Sequence, residues 1–174
     1  MNLSKCCFTY FLIFITILFL VATNSFSKDE DTSFVNTLYQ IKYVIKNRFT
    51  SKEIVNMVEQ ARRQGATGYI VVPPLNSFTK DMGWLIEDSK GREVFRVLFT
   101  FDDNGIVNNG RYLGPLISNV QQIHQLHVEM LSRNYKLITP GSYDIGDGCR
   151  AIIKIFKSGV SDPGRTVITV ECLN

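Results

Sequence analysis

The sequence predicts an α+β fold: a single domain with a mainly antiparallel sheet covered by two N-terminal helices and one long central helix. Two observations predict it. Residues 82–107 alternate between apolar and polar side chains and are interrupted by two glycine turns, which is typical of a three-stranded central meander. Three other segments repeat apolar residues every three or four positions, as amphipathic helices do. A C-terminal hairpin is expected to complete the sheet.

The first residues have the composition of a secretory signal. A lysine precedes an uncharged apolar run from Phe8 to Ala22, and Ser25 and Ser27 fit a small-residue cleavage site. The run is shorter than the ~20 residues of a membrane-spanning helix. We therefore expect a signal peptide at 1–27 and one globular domain at 28–174, secreted or periplasmic. The alternative is an uncleaved N-terminal anchor with the domain outside the cytoplasm.

Charge and motif content argue against several function classes. The chain has 19 Lys and Arg against 16 Asp and Glu, without the concentrated basic face that nucleic-acid binding uses. It contains no Gly-x-Ser-x-Gly elbow, phosphate-binding glycine loop, dinucleotide fingerprint or Cys-x-x-Cys pair. The sequence therefore favours a binding protein over an enzyme, and it predicts no nucleic-acid partner, no cofactor and no membrane span after signal removal.

The two N-terminal helices are predicted from apolar spacing and from capping residues. The first is expected to begin after Thr32 or Ser33 and to end near Asn47. The second begins with the capping box Thr50-Ser51-Lys52-Glu53 and ends at Arg62-Arg63-Gln64-Gly65. Because cations suit the negative end of the helix dipole, the two arginines are interpreted as local helix chemistry.

The long central helix is predicted over 115–133, with Pro115 at its first position and Asn134 at a left-handed end. Its apolar arc includes His124 and His127, so both are predicted to face the core or a cavity beside it. Three interpretations stay open: neutral buried histidines, a ligand pocket or pH-dependent pair, and a metal site. No metal is predicted, because no His-Glu-x-x-His order supplies a further ligand.

Two polar segments are predicted as connections. A turn and a link after the meander are indicated by Asn108-Asn109-Gly110 and Tyr112-Leu113-Gly114. Residues 140–148 are predicted as a loop rich in strand breakers. The acidic glycine turns at 102–105 and 144–148 look superficially like calcium loops. Neither has the ligand spacing of an EF-hand, so both are interpreted as ordinary turns.

The last two predicted strands carry two cysteines. If their apolar faces match as antiparallel partners, Cys149 lies opposite Cys172. Directly opposed cysteines are close enough to form a disulfide. The other two cysteines lie within the predicted signal, so the mature chain would hold one pair in an oxidising compartment. Two reduced, buried thiols are the alternative.

One short segment resembles a known kind of domain. Gly65-Ala66-Thr67-Gly68-Tyr69-Ile70-Val71-Val72 is similar to the glycine-then-strand entry of secreted sensor domains of the Cache and PAS kind. The resemblance covers these eight residues and implies an exported small-ligand-binding sensor-like domain. A Cache sensor also needs a following membrane span, so we do not assign the chain to that family.

The favoured function is that of a small exported binding protein acting without catalysis on another protein or a small ligand. Inhibitors, immunity proteins and secreted effectors work in this way. The candidate contact residues are Arg96, Asp102, Asp103 and Tyr143. Besides the sensor-like domain, the alternative is a hydrolase with a site near His124 and His127. The lack of a catalytic motif does not exclude an enzyme, because a pair of catalytic carboxylates leaves little trace in a sequence.

Overall fold

The computed structural model describes residues 34–66, 68–74, 81–156 and 164–173. These residues form three helices and one eight-stranded antiparallel sheet, which confirms the predicted α+β class. The predicted signal peptide and the capping residues of the first helix lie outside the described residues. Within the described ranges, no helix is long and apolar enough to cross a membrane.

The elements follow one another in two similar groups. The helices are α1 (Phe34–Lys46), α2 (Ser51–Arg63) and α3 (Val120–Ser132). The strands are β1 (Tyr69–Val72), β2 (Met82–Glu87), β3 (Glu93–Phe101), β4 (Val107–Gly114), β5 (Lys136–Thr139), β6 (Ser142–Gly146), β7 (Cys149–Phe156) and β8 (Arg165–Cys172). The strand order is β1-β2-β3-β4-β8-β7-β6-β5. Two four-stranded meanders, each preceded by a helix, therefore join at the β4–β8 pair.

The three helices pack on one face of the sheet, here called the helix face. Ile54 and Val58 of α2 belong to the same buried cluster as Trp84 of β2, and His127 of α3 contacts Tyr143 of β6. The fully buried strand side chains on this face include Trp84, Val97, Phe99, Ile168 and Val170. Burying one Phe or Ile side chain contributes about 1.5–3 kcal/mol to folding, so this layer is the main source of stability.

The two N-terminal helices have the predicted ends. The Thr50 hydroxyl accepts a hydrogen bond from the Glu53 N–H at 3.4 Å, and the Glu53 carboxylate accepts one from the Thr50 N–H at 2.7 Å. This confirms the capping box, which satisfies two donors that have no partner inside a helix. Gly65 has a φ of 92°, which confirms the left-handed glycine after α2.

The prediction of a turn and connection at 108–114 is wrong, because these residues form most of β4. Small residues are required there by the packing of α1. A Cβ on Gly110 would lie 2.5 Å from Cγ2 of Ile41 and 3.0 Å from the Phe99 ring. The glycine that suggested a turn thus allows a helix to approach the sheet closely.

The predicted loop at 140–148 is also wrong in part, because Ser142–Gly146 forms β6. The chain reverses on both sides of this strand through glycines of positive φ, Gly141 at 77° and Gly148 at 72°. The turn residues were recognised from the sequence, but the five-residue strand between them was not. The strand has only five residues and is bordered by turn residues on both sides, which leaves little alternation to detect.

The third helix is shorter than predicted, because it begins at Val120 and not at Pro115. Asn119 is its N-cap, and the Asn119 side chain accepts a hydrogen bond from the Gln122 N–H at 2.8 Å. The preceding segment contacts β8, since the Ile117 N–H donates to the Thr166 hydroxyl at 3.0 Å. The left-handed end is confirmed, with Asn134 at a φ of 60°.

The C-terminal hairpin has the predicted register. Ile155 lies opposite Thr166, and Cys149 lies opposite Cys172. The two sulfur atoms are 2.07 Å apart, so the predicted disulfide is present. It covalently joins the end of β8 to the start of β7 on the helix face.

Candidate functional site

The two histidines occupy different environments, which corrects the prediction that both face the core. His124 is exposed and His127 is half-buried. The reason is that α3 buries only Leu126 and Met130 against the rest of the molecule. The exposed side chain of His124 therefore points away from the core.

The partner of His127 is a phenol and not a carboxylate. Nδ1 of His127 lies 2.7 Å from the hydroxyl of Tyr143. Burial raises the pKa of Tyr143 above its ordinary value, so the phenol keeps its proton. This pair joins α3 to β6, which is a structural role.

Acidic side chains near the turns are engaged with the backbone. One carboxylate oxygen of Asp102 accepts hydrogen bonds from the N–H groups of Asn104 and Ile106, both at 2.9 Å. Asp144 accepts one from the Gly146 N–H at 2.8 Å. Among the residues that the structure describes, no group of three or more His, Cys, Asp or Glu side chains could hold a metal ion.

The four residues predicted as contacts do not form one surface. Tyr143 is 4% exposed on the helix face, so the prediction of an accessible Tyr143 is wrong. Asp103 is exposed and Asp102 half-buried at the end of β3. Arg96 lies near the middle of β3 on the opposite face of the sheet, where it is half-buried.

Arg96 belongs to a face of the sheet on which no described helix packs, here called the open face. The strand register places side chains in rows across this face. One row consists of Leu85, Arg96, Leu113, Val167 and Lys154. The next row consists of Leu98, Arg111, Thr169 and Ile152.

The open face is more apolar than a solvated sheet face usually is. An antiparallel sheet with one covered face normally has polar side chains on the other. Here five half-buried apolar side chains lie near its centre: Leu85, Leu98, Leu113, Ile152 and Val167. Leu113 lies directly opposite Val167, and the other three are diagonal neighbours across adjacent strands, so the five form one patch with arginines between them.

The arginines of the open face are paired with carboxylates. Nε of Arg96 donates to Glu93 at 2.7 Å, and this hydrogen bond lowers the pKa of Glu93. Arg111 forms an ion pair with Asp81, whose second oxygen accepts a hydrogen bond from the Thr100 hydroxyl at 2.8 Å. The ion pairs fix the guanidinium groups around the apolar patch and balance their charge.

The sequence contained a signal for this patch that was missed. Leu85 stands between two apolar neighbours in Trp84-Leu85-Ile86, and Leu98 does so in Val97-Leu98-Phe99. A continuous apolar run in a strand indicates that both faces of the strand are apolar, whereas strict alternation indicates one. The run Ala151-Ile152-Ile153 in β7 gives the same signal.

Comparisons of this chain with protein-family models, with curated proteins and with solved structures found no match. Its function is therefore inferred from its own fold and surfaces.

Proposed function

We propose that this protein is a small exported binding protein that acts without catalysis by binding another protein on its open face. The observation that carries the proposal is the apolar patch of Leu85, Leu98, Leu113, Ile152 and Val167, on which no described helix packs. A contiguous apolar surface of this kind typically marks an interaction site.

The composition of the open face supports a protein partner. Protein interfaces combine an apolar centre with a polar rim, and arginine is enriched in them. The patch has this arrangement, since Arg96 and Arg111 lie among its leucines and Lys154 lies at its side. Arginines already held by Glu93 and Asp81 lose little side-chain freedom when a partner binds.

The rigidity of the face also supports binding. All eight strands are joined by backbone hydrogen bonds, and the disulfide closes the hairpin of β7 and β8. A preorganised surface binds with a smaller entropic cost than a flexible one. The disulfide and the predicted signal at 1–27 together support export, because disulfides persist in oxidising compartments.

The test is chemical cross-linking in the native exported fraction, followed by mass spectrometry. We expect cross-links from a partner to reach Lys154, which is exposed on the open face, and not Lys52 at the start of α2. A Leu98→Glu variant should lose the cross-linked partner by roughly 10-fold or more, because it places a carboxylate in the apolar centre of the patch, where a bound partner would exclude water from it.

Tyr39→Glu is the matched control, because Tyr39 is an exposed apolar side chain on α1. This variant should keep the partner at the wild-type level, and the thermal unfolding of both variants should show that they fold. Equal recovery of the partner by Leu98→Glu and by wild type would contradict the proposal. Cross-links confined to Lys52 would contradict it as well.

A further inference from the structure

A second apolar surface lies at the β5 end of the sheet, here called the helix–edge surface. It is formed by five large apolar side chains that are each 43–82% exposed: Val120, Ile123, Val128, Leu131 and Leu137. The corresponding helix of the other half, α2, has no large apolar side chain that is this exposed among its described residues. The difference makes this surface a property of the second half of the chain and not of the fold.

The exposed side of α3 faces outward, toward the edge of the sheet. Met130 points into the core. Going around the helix axis from Met130, His127 is the next of these side chains and contacts Tyr143 of β6, and Leu131 lies beyond His127 on the outer side. Leu137 of β5 lies opposite Tyr143 in the strand register, so it is one strand farther out on the same face. The apolar side of α3 is thereby continuous with β5.

The two edge strands of the sheet differ in exposure. Both are followed directly by proline, Pro73-Pro74 after β1 and Pro140 after β5, and each has a helix against it, but β1 has one buried and two half-buried residues. Strand β5 is exposed at all four residues and has no described neighbour beyond it in the strand order. The N–H and C=O groups on the outer side of β5 can therefore form hydrogen bonds with another strand.

We propose that the helix–edge surface binds a second copy of this chain, so that the protein is a symmetric dimer joined through β5. The charge of the surface favours this occupant. The only charged residue of α3 is Glu129, which lies on the side opposite the exposed apolar residues. A surface without charge can face its own copy without repulsion, whereas selection of a different partner usually uses complementary charge.

Symmetry and side-chain direction are satisfied by a register of the two β5 strands that is centred on Leu137. A twofold axis perpendicular to the sheet makes β5 antiparallel to its copy and keeps both helix faces on the same side. Paired residues must then point to the same side, which is satisfied when Leu137 lies opposite Leu137 of the other copy. Lys136 then faces Ile138, so that no like charges are directly opposed.

The dimer goes beyond the proposed function and does not depend on it. It would extend the sheet from eight strands to sixteen and place the two open faces side by side, because the axis is perpendicular to the sheet. The two α3 helices would also approach each other, which would bury Val128 and Leu131.

The test is the mass of the native exported protein by sedimentation equilibrium at micromolar concentration. Wild type should have twice the mass of one chain. Leu137→Glu and Leu137→Lys should each weaken the dimer by roughly 100-fold, because each places two like charges on the twofold axis. Mixing the two variants should restore the dimer, since Glu then faces Lys. This rescue separates loss of the contact from loss of folding.

Ile70→Glu is the matched control, because Ile70 is an exposed apolar residue on the opposite edge strand. It should leave the dimer unchanged. A wild-type protein that is monomeric throughout the micromolar range would overturn the proposal, as would variants of Leu137 that keep the wild-type mass. Cross-linking of β5 to a different protein, with no self-association, would assign the surface to another occupant and overturn it too.

Discussion

At the scale of single residues, Gly110 shows how a residue that favours turns can be required inside a strand. Its hydrogen occupies the only space left between Ile41 of α1 and the ring of Phe99. The close approach lets α1 lie directly on β4 and β8 at the centre of the sheet. The position of α1 therefore depends on the absence of one methyl group.

Gly110→Ala should lower the free energy of unfolding by about 1–3 kcal/mol, because the added methyl group overpacks the contact with Ile41. The measurement is urea denaturation followed by circular dichroism. The neighbouring Asn109→Ala is the control, since Asn109 is half-buried on the open face, and it should change stability by less than about 0.5 kcal/mol. A stability of Gly110→Ala equal to wild type would show that α1 is not held against β4 in this way.

Lys42 forms a contact that depends on pH. Its ammonium group donates to the carbonyl of Ile145 at 2.9 Å and to the carboxylate of Asp147 at 2.7 Å. The hydrogen bond and the charge of Lys42 lower the pKa of Asp147 in the folded protein. The ion pair thus connects α1 to the turn that precedes Cys149.

Because the folded-state pKa of Asp147 is lowered, the ion pair stabilises the protein above the unfolded pKa of about 3.9 and stops doing so as the pH falls through the folded-state value. Lys42→Met should therefore be less stable than wild type at pH 6, and the difference should shrink in acid. Urea denaturation at several pH values measures it. A difference that stays constant as the carboxylates protonate would exclude this role for Asp147.

At the scale of elements, the hairpin of β7 and β8 was predicted down to its register. The apolar residues at alternate positions of the two strands match when Cys149 is placed opposite Cys172, and a shift by one residue would turn these side chains to the other face. The β4–β8 pair then places this hairpin in the middle of the sheet. The position of the cysteines follows from local alternation alone.

The disulfide should contribute about 3 kcal/mol to the free energy of unfolding, because it restricts the unfolded chain between two cysteines 23 residues apart. The double variant Cys149→Ala, Cys172→Ala should be less stable by about this amount while keeping the far-ultraviolet spectrum of wild type. Thiol titration of the denatured, unreduced wild type should detect no free thiol from Cys149 or Cys172. Two reactive thiols in the mature protein would refute the bridge.

The helix α3 was predicted with more burial than it has, and the reason is its packing. Its apolar arc is wide enough for a helix that is buried on one whole side. In the structure only Leu126 and Met130 are buried, and Val120 is 82% exposed. Apolar spacing shows which side of a helix avoids water, but it does not show how much of that side a single chain covers.

At the scale of the whole molecule, the two halves of the sheet should differ in local stability. Helix α1 buries six residues and lies on the central strands, whereas α3 buries two and lies near an edge. Elements with few buried apolar contacts open more readily than the core. The half that contains α3 and β5 is therefore the half that a second copy would stabilise.

Hydrogen exchange measured by mass spectrometry should show faster exchange in β5 than in β3. Dilution should increase exchange in β5 and leave β3 unchanged, because only β5 gains hydrogen bonds in the proposed dimer. The Leu137→Glu variant is the control and should show the diluted pattern at every concentration. Protection of β5 that does not depend on concentration would mean that this edge is closed within one chain.

The sequence by itself determined the fold class, the two N-terminal helices, the meander and the disulfide. These features depend on periodicity, capping residues and turn chemistry, which are properties of neighbouring residues. The sequence also contained the continuous apolar runs in β2, β3 and β7 that make the open face apolar. Only the strand pairing shows that Leu85, Leu98 and Ile152 belong to one patch.

Only the tertiary structure decided that Gly110 lies within a strand, that Tyr143 is buried and that the two histidines of α3 differ in exposure. Each of these depends on contacts between residues far apart in the chain, such as Gly110 with Ile41 and Tyr143 with His127. The physical reason is that local pattern fixes which side of an element is apolar, whereas the packing of the whole chain fixes what covers that side and what is left exposed for a partner.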